Sequence, residues 1–542
     1  MPIQDLRAIP ADAILEADVC VVGSGPAGAT VALELANGNS KVIVVESGGL
    51  QRDMEVDQLN EIENTGWPRI MDQWLVRNRK LGGTSNTWAG RCTPFDEIDY
   101  QARDWVPHSG WPVGFDELMP FLDRSIPHLG LAAIKGYITE NSFWTSARRR
   151  RPAPRLDDTL LSPVFWQFSK DTHNSRHDGV NFGQRLLRNK ASNLNVVLNA
   201  TATHINTNRT GSAVESVELR TATGEVRKVS APNVILCAGG IENARLLLVS
   251  NRTVPNGLGN RHDLVGRYLM DHLKGKIGAF DPRDTRALRS LFGRYLVKSA
   301  NGRHWFHEGA RLSAAAQKEH GLLNCALFLD EHEFVAPDDP WMAIRRMIQR
   351  KGSLIGDGLS VASNAPFVAY GLYEYLVRNN SLPRKLTEVV IRCIVEQRPD
   401  PDSRVTLSNR TDKFGVPLSR VNWQVSEQER KTIEMTTRLF SSEARRLGFA
   451  EFAPEQWIAR AEGLPPHFLD IAHPTGTTRM AIDRHSGVVD PNCEVHGTSG
   501  LFVAGSSVFP TAGHANPTQM IVALAIRLAD TLKQRSMNGG TR

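Results

Sequence analysis

The chain has 542 residues, of which 41% are hydrophobic and 23% are charged, the composition of an ordinary globular protein. This length exceeds what one hydrophobic core usually supports, so we expect two structural domains. The six cysteines are scattered and form no CxxC pair, which argues against a disulfide framework, a zinc site or an iron–sulfur cluster. No metal site is therefore expected.

The charge pattern and the apolar runs limit the classes of partner. The net charge of +6 is mild, and the run ARRRRPAPR (Ala147 to Arg155) predicts a solvated basic loop, so no nucleic-acid partner is expected. The N-terminus lacks a basic start followed by an apolar core, and no apolar run is long enough to span a bilayer. These features favour a cytoplasmic protein without a membrane span.

The first motif along the chain is ADVCVVGSGPAGATVALELA. Residues 19–22 form an apolar run suited to a buried strand, and Gly23, Gly25 and Gly28 follow in G-x-G-x-x-G spacing before a helix-favouring stretch. A second apolar run ends at Glu46, whose carboxylate is placed to accept hydrogen bonds from ribose hydroxyls. The pattern predicts dinucleotide binding at a helix N-terminus, and the alternative is a glycine-rich turn in another α/β protein.

A second glycine-rich segment narrows the protein families to which the chain is similar. RKLGGTSNTWAGRCTPF (Arg79 to Phe95) has small side chains that suit close packing along a flat polar ring. With the first motif it resembles the glucose–methanol–choline family of FAD-dependent oxidoreductases. The resemblance continues, in the family's order, through NLNVVLNATATHI, VILCAGGIENARLLLVS, LVGRYLMDH, HPTGTTRM and GHANPTQM.

The resemblance implies an α/β fold with a Rossmann-like FAD-binding domain and an α+β substrate-binding domain, similar to p-hydroxybenzoate hydroxylase. The FAD-binding domain is expected to be discontinuous, from segments 1–130, 190–275 and 470–542. Segment 276–469 is expected to be the substrate-binding domain, with an antiparallel sheet over the flavin. Segment 131–189 is expected to be an insertion or cover.

Within 276–469 the local pattern predicts strands in 388–408 and 416–425, where β-branched residues alternate with polar ones. Ser426 and Glu429 then form a capping box, which predicts a helix from Glu427 onwards.

The family pattern, carried onto this chain, also implies which residues contact FAD. Asn86 has no nucleophilic ring nitrogen, so a non-covalently held FAD is expected. The expected contacts are Gly23, Gly25, Gly28, Glu46, Gly82, Gly83, Thr84, Asn86, Thr87, Trp88, Ala202, Cys237, Ala238, Glu242, Gly505, Ser506, Asn516 and Thr518.

Two residues near the C-terminus are the expected catalytic pair. Oxidation of an alcohol by a flavin needs a base for the hydroxyl proton, and a neutral imidazole suits that role. The resemblance assigns His473 as the base and Asn516 as the hydrogen-bonding partner. Asn516 is also expected to cap the last helix, with Pro517 at its first position, so that the helix N-terminus faces the flavin.

The nearest branch in the resemblance is the pyranose oxidase-like one, with bacterial sugar and C-glycoside 3-oxidases. It implies oxidation of a secondary hydroxyl (C2 or C3) of a sugar or glycoside, with O2, a quinone or a redox protein reoxidising the flavin. The alternatives are an alcohol, sterol or secondary-metabolite dehydrogenase, and a lyase in which FAD is redox-silent.

Three further residues are candidates for substrate contacts. Glu396 and Gln397 end a predicted strand, where a solvated turn explains them equally well, and His514 has an equally good structural explanation. The helical segment 331–385 is compatible with a homo-oligomer contact or with a cover over the site.

Overall fold

The computed structural model describes residues 2–11, 13–69, 73–151, 155–171, 179–449 and 451–539. Residues 152–154 and 172–178, which belong to the predicted cover segment and include part of its basic run, lie outside the described residues. Among the described helices, none is long and apolar enough to cross a membrane.

The strands of the described chain are β1 (Ile3–Asp5), β2 (Ile14–Glu16), β3 (Val19–Val22), β4 (Val42–Val45), β5 (Ile62–Asn64), β6 (Arg91–Cys92), β7 (Leu161–Phe168), β8 (Leu194–Leu198), β9 (Thr201–Thr207), β10 (Val214–Arg220), β11 (Val226–Ser230), β12 (Asn233–Leu236), β13 (Leu273–Phe280), β14 (Arg294–Ser299), β15 (Gly302–Leu312), β16 (Cys325–Asp330), β17 (Val389–Val395), β18 (Arg404–Thr411), β19 (Pro417–Asn422), β20 (Ala453–Pro454), β21 (Leu469–Asp470) and β22 (Leu501–Val503).

The helices of the described chain are α1 (Pro26–Leu35), α2 (Met54–Asp57), α3 (Gln73–Val76), α4 (Glu97–Tyr100), α5 (Phe115–Leu129), α6 (Glu140–Ala147), α7 (Phe182–Arg188), α8 (Glu242–Val249), α9 (Thr285–Leu288), α10 (Ala314–His320), α11 (Pro340–Ile348), α12 (Leu354–Ser363), α13 (Ala365–Leu376), α14 (Glu427–Arg446), α15 (Gln456–Ala459) and α16 (Thr518–Gly539).

A parallel six-stranded sheet has the order β1-β8-β4-β3-β12-β22. Its central strands β3 (VCVV) and β4 (VIVV) are buried at every residue, as expected for parallel strands covered on both faces. Helix α1 packs against α16, and α16 packs against α5. The strands come from both ends and the middle of the chain, so this Rossmann-like unit is assembled from distant segments.

A larger, mainly antiparallel sheet has the order β20-β13-β17-β16-β15-β7-β6, with β14 on β15 and β21 on β13. One of its faces joins the main core and lies against α14. The other face carries a small apolar cluster, which includes Trp166 and Phe328 and packs against Ile471. This is the mixed α/β architecture expected from the sequence, with a second sheet beside the Rossmann-like unit.

The local predictions for the middle of the chain are confirmed. Strands β17 and β19 lie within the predicted ranges, β18 begins within its range and continues three residues beyond it, and α14 begins at Glu427. Ser426 and Glu429 form the reciprocal capping box. Two small sheets, β2-β11-β10-β9 and β18-β19-β5, complete the described strands.

Candidate active site

The predicted cofactor residues follow the carboxyl ends of neighbouring parallel strands. Gly23 follows β3, Glu46 follows β4, Cys237 follows β12, and Gly505 lies two residues after β22. These four strands are adjacent in the six-stranded sheet. Their carboxyl ends therefore meet at one edge, the usual position of a ligand in open α/β sheets.

Glycine is favoured at each of the three positions of the first motif for a different structural reason. Gly23 has φ of +101°, a conformation that favours glycine. A Cβ on Gly28 would lie 1.9 Å from the Gly23 carbonyl oxygen, so only glycine lets α1 approach the turn. A Cβ on Gly25 would meet no atom within 4 Å. The open space at Gly25, at the N-terminus of α1, fits a pyrophosphate group.

Glu46 is 5% exposed and anchors the turn beside this space. Its carboxylate accepts hydrogen bonds from the backbone amides of Ser24 and Gly48, each at 3.0 Å, and from the Ser24 hydroxyl. Burial raises the pKa of Glu46, although these bonds favour its ionised form. The carboxylate is thus held at the position expected for the ribose end of FAD.

The second glycine-rich loop lies directly against the first. The Gly82 amide donates to Ser24 Oγ at 2.9 Å, and a Cβ on Gly83 would lie 3.1 Å from Gly25 Cα. The Asn86 amide group donates to the carbonyls of Leu81 and Gly83. The two predicted loops therefore form one continuous surface, and Asn86 braces it.

The remaining residues of this loop divide into braces and exposed groups. Trp88 Nε1 donates to the Val180 carbonyl at 3.0 Å, so this indole fixes the loop to the segment before α7. Thr84 and Thr87 are exposed on the loop. These two side chains remain available to a flat ring system, as the resemblance implies.

Other predicted contacts surround the same edge. Ala202 lies on β9, next to Thr201, whose hydroxyl is 2.9 Å from Ser47 Oγ. The Ala238 amide donates to Asn243 Oδ1 at 2.8 Å, while Asn243 Nδ2 donates to Ser507 Oγ at 3.0 Å. Asn243, which is fully buried, thus joins two predicted FAD loops. Sequence reasoning assigned it no role.

Glu242 occupies a different environment from the other predicted contacts. It forms ion pairs with Arg79 at 2.8 Å, Arg77 at 3.4 Å and Arg245 at 3.2 Å. Burial raises its pKa, but the three guanidinium groups outweigh burial and hold the pKa at about 2. The structure shows Glu242 as a brace between the second loop and α8, and its contact with FAD stays a prediction.

His272, which the sequence analysis did not single out, connects His473 with the last loop of the site. His473 Nδ1 is 3.1 Å from His272 Nδ1, and His272 Nε2 is 2.8 Å from the Gly513 carbonyl oxygen. His272 is fully buried and therefore connects the HPTGTTRM loop with the GHANPTQM loop. Its only signal in the sequence is its place at the end of LVGRYLMDH.

The hydrogen bonds of His272 determine the tautomer of His473. The Gly513 carbonyl can only accept, so His272 Nε2 carries a proton. Burial lowers the pKa of His272 and keeps the ring neutral, so its Nδ1 must accept from His473 Nδ1. Burial and His272 also lower the pKa of His473 well below its usual value. Neutral His473 then has an unprotonated Nε2, the atom that a base requires.

The backbone of His473 is fixed by a buried ion-pair network. Its amide donates to Asp271 Oδ1 at 2.9 Å. Arg69 binds Asp271 at 2.8 Å and Asp470 at 3.0 Å, and all three side chains are at most 2% exposed. Because both carboxylates bind the same arginine, the network links the segment before β13 to the end of β21.

Asn516 differs from its prediction in one respect. Helix α16 begins at Thr518, and the Ile521 amide donates to the Pro517 carbonyl, so the N-cap is Pro517 and the predicted cap at Asn516 is wrong. No described group donates to Asn516 Oδ1, although this atom is buried. An amide that satisfies no helix end has its hydrogen-bonding capacity free for a ligand.

Glu396 and Gln397 lie next to β17 but are fully used within the protein. Arg103 donates to both carboxylate oxygens of Glu396, at 2.8 and 2.5 Å, and both side chains are at most 1% exposed. Gln397 Oε1 accepts from the Asp271 amide at 2.8 Å and from Trp423 Nε1 at 2.6 Å. The predicted substrate contacts at these residues are therefore corrected to structural bonds that support the site from behind.

His514 is 1% exposed. Its Nε2 lies 3.4 Å from Asp96 Oδ2, and its ring packs edge-on against Trp166 with centroids 6.2 Å apart. This buried position favours the structural explanation over a substrate contact. Within the described residues, no group of three His, Cys, Asp or Glu side chains could hold a metal ion.

Known proteins resemble the chain along most of its length. Sequence profiles of the GMC oxidoreductase family match residues 69–274 and 399–525, more than half of the chain together, and an FAD-binding domain profile matches residues 18–54. The chain is 25% identical to 2-methyl-1,2-propanediol dehydrogenase of Mycolicibacterium austroafricanum over 96% of both proteins. It is 36% identical to C-glycoside 3-oxidase of Arthrobacter globiformis over 128 residues, 23% of each protein.

Solved structures agree in fold. Pyridoxine 4-oxidase from Mesorbium loti matches with a TM-score of 0.57 at 17% identity, over 95% of this chain and 99% of that one. Formate oxidase matches with a TM-score of 0.56 at 19% identity, over 97% and 99%. With the cofactor edge and the family profiles, these similarities lead to one conclusion. The chain belongs to the GMC oxidoreductase family and is an FAD-dependent enzyme that acts on CH–OH groups.

Proposed function

We propose that the enzyme oxidises a secondary hydroxyl, at C2 or C3, of a sugar or glycoside to a ketone. The observation that carries this proposal is the pair of bonds at His272, which leave His473 Nε2 unprotonated beside the loop of Asn516. The similarities to C-glycoside 3-oxidase and to pyranose 2-oxidase of Tricholoma matsutake, 31% identical over 140 residues, support the substrate class.

In this mechanism His473 Nε2 accepts the proton of the substrate hydroxyl. The Asn516 amide hydrogen-bonds the substrate and orients the carbon that loses hydride, an effect of several kcal/mol in well-positioned reactions. FAD, when bound, supplies the hydride acceptor. His272 holds the base in one tautomer, and Asp271 holds its backbone.

FAD is proposed to bind without a covalent bond, along the edge formed by Gly25, Glu46, Gly83 and Gly505. The proposed FAD-binding unit comprises 1–130, 190–275 and 470–542, and the substrate-binding unit 276–469. We propose O2, a quinone or a redox protein as electron acceptor.

A homo-oligomer is also proposed, because α12 and α13 expose large apolar side chains, such as Ile355 at 79%. Sedimentation velocity measures the oligomeric state of the protein in solution.

Rapid anaerobic mixing with sugars and glycosides tests the catalytic assignment. His473→Ala is expected to retain bound FAD but to slow its reduction by at least about a hundredfold, the usual contribution of a general base. His467→Ala is a matched control, because His467 is exposed. Equal reduction rates in His473→Ala and the unmodified enzyme would disprove the role of His473.

A second candidate is the oxidation of a small aliphatic alcohol. The similarity to 2-methyl-1,2-propanediol dehydrogenase extends over 96% of the chain and favours it. The same mixing experiment with 2-methyl-1,2-propanediol, a sterol and methyl glucoside separates the classes by which compound reduces FAD. A redox-silent lyase would show no reduction with any of them.

A further inference from the structure

Two cationic side chains, Arg91 and Lys274, lie on one face of the large antiparallel sheet, near the segment of the proposed base. Lys274 is the second residue of β13 and pairs in register with Leu469 of β21, which lies four residues before His473. The same face of the large sheet carries Trp166 and Phe328, which pack against Ile471, two residues before His473. Lys274 pairs with Ile394 of the same cluster, so it lies on the sheet face that packs against the segment of the proposed base.

Arg91 reaches this face of the sheet from β6, the strand at the opposite edge of the sheet from β20 and β13. It lies on β6, within the second glycine-rich segment. Its guanidinium carbon is 4.9 Å from the Phe328 ring centroid and 5.3 Å from that of Trp166, and Lys274 Nζ is 5.5 Å from the Phe328 centroid. Both cations thus pack on the same buried aromatic cluster, which holds them on one face of the sheet.

Neither cation has an anionic partner among the described residues. The nearby acids are used elsewhere, since Asp330 and Glu333 pair with Arg392 and Glu331 pairs with Arg289. Among the side chains that the structure describes, Arg91 has one hydrogen-bonding neighbour, His307 Nδ1 at 3.5 Å. Burial and the neighbouring Arg294 lower the pKa of Arg91 to about 10, and burial with Arg392 and Arg91 lowers the pKa of Lys274. The negative charge of Asp330 opposes both shifts but does not offset them.

Arg91 and Lys274 are partly exposed, and two neighbouring cations without an anionic partner repel each other, so we expect an anion opposite these side chains. The phosphates of FAD do not meet this need, because their cradle at Gly25 belongs to the six-stranded sheet and the N-terminus of α1. The cations belong instead to the sheet that faces the substrate. They therefore point to a charged group on the substrate itself.

We propose that Arg91 and Lys274 bind an anionic group on the hydroxyl substrate, so that the preferred substrate is an acidic sugar or glycoside. This inference rests on the proposed function of the same site. A carboxylate, as in a uronic acid, matches the planar guanidinium of Arg91 and the point charge of Lys274. A phosphate ester offers the same chemistry and forms a second arm of the test.

The test compares matched substrates in the FAD-loaded enzyme. Anaerobic reduction is measured with methyl glucoside, methyl glucuronide and glucose 6-phosphate, each at low and high salt. We expect the preferred anionic compound to show an apparent dissociation constant at least about tenfold lower than methyl glucoside, and salt to weaken its binding only. The better of the two anionic compounds identifies the charged group.

Variants connect this preference to the two side chains. Arg91→Gln and Lys274→Met should each weaken binding of the anionic compound about tenfold and leave methyl glucoside unchanged. Lys276→Met is the control, because Lys276 lies on the same strand but pairs with Glu388 and Glu455. Calorimetric titration of methyl glucuronide into His473→Ala measures binding without turnover and should give the same order.

Three results would overturn the inference and leave the proposed function intact. One is equal or tighter binding of methyl glucoside. Another is an equal loss of binding for neutral and anionic compounds in both variants. The third is a shifted flavin reduction potential with unchanged substrate preference, which would place the cations beside the reduced cofactor. By contrast, failure of every hydroxyl compound to reduce FAD would reject the proposed function itself.

Discussion

At the scale of single residues, the site depends on hydrogen-bond directions more than on residue identity. The proposed role of His473 as a base depends on two hydrogen bonds, because the Gly513 carbonyl fixes the proton of His272 and His272 fixes the proton of His473. The sequence predicted site roles for the glycines, Glu46 and His473 because each occupies a motif with a physical reason. His272 was not, because its partners are 201 and 241 residues away.

Replacing His272 tests this positioning role. His272→Phe should slow flavin reduction at least about tenfold, because His473 loses the acceptor that selects its tautomer. It should also raise the pKa of His473 towards its usual value, so that the rate falls with decreasing pH at a higher pH than in the unmodified enzyme. His272→Gln keeps an acceptor oxygen and should recover part of the rate. Identical pH profiles in all three proteins would contradict the assignment.

Glu308 supplies a pH-dependent contribution to stability away from the cofactor edge. This residue is 4% exposed, and burial raises its pKa to about 8, against the hydrogen bond from Tyr295. Because the folded pKa exceeds the unfolded one, its stabilising contribution is complete below about pH 4.5 and is lost as the pH rises towards 8.

Glu308→Gln removes this titration and keeps the side-chain shape. The variant should gain more than about 1 kcal/mol relative to the unmodified protein between pH 5 and pH 8, measured by denaturant unfolding. Glu427→Gln, at an exposed helix position, should show no such change. A difference that does not depend on pH would refute the raised pKa.

At the scale of elements, parallel strands explain why distant motifs converge. Gly23, Glu46, Cys237 and Gly505 are far apart in the sequence, but β3, β4, β12 and β22 are neighbours in one sheet and present their carboxyl ends together. The apolar runs of β3 and β4 predicted those strands. The start of α16 was one residue beyond the predicted position, because the Pro517 carbonyl accepts the first helical bond in place of Asn516.

Asn516→Ala follows from this corrected helix start. Since Asn516 caps nothing, the variant should unfold at the same temperature as the unmodified protein, whereas loss of a true N-cap costs about 1 kcal/mol. Flavin reduction should slow by about tenfold or more, because the substrate loses an orienting hydrogen bond. Thermal unfolding and anaerobic mixing measure the two effects. A large loss of stability with unchanged reduction would reverse the interpretation.

At the scale of the whole molecule, FAD should stabilise the fold, since its proposed contacts draw on both ends and the middle of the chain. Free FAD at a hundred times its dissociation constant stabilises a protein by about 2.7 kcal/mol. Thermal melts of the apoprotein with increasing FAD measure this shift. Gly25→Val should melt like the unmodified apoprotein but lose the shift, because its side chain enters open space that the pyrophosphate needs. A normal shift in this variant would place FAD elsewhere.

The sequence by itself determined the family, the dinucleotide motif and the strands and helix of the middle segment, and it predicted His473 as the base. Each depends on neighbours within a few turns of chain, where glycine conformations, apolar periods and capping boxes act. Only the tertiary structure decided that Glu396 and Gln397 are buried braces, that Asn516 does not cap a helix, and that His272 selects the tautomer of His473. These roles depend on which groups burial brings together, and burial is a property of the folded chain.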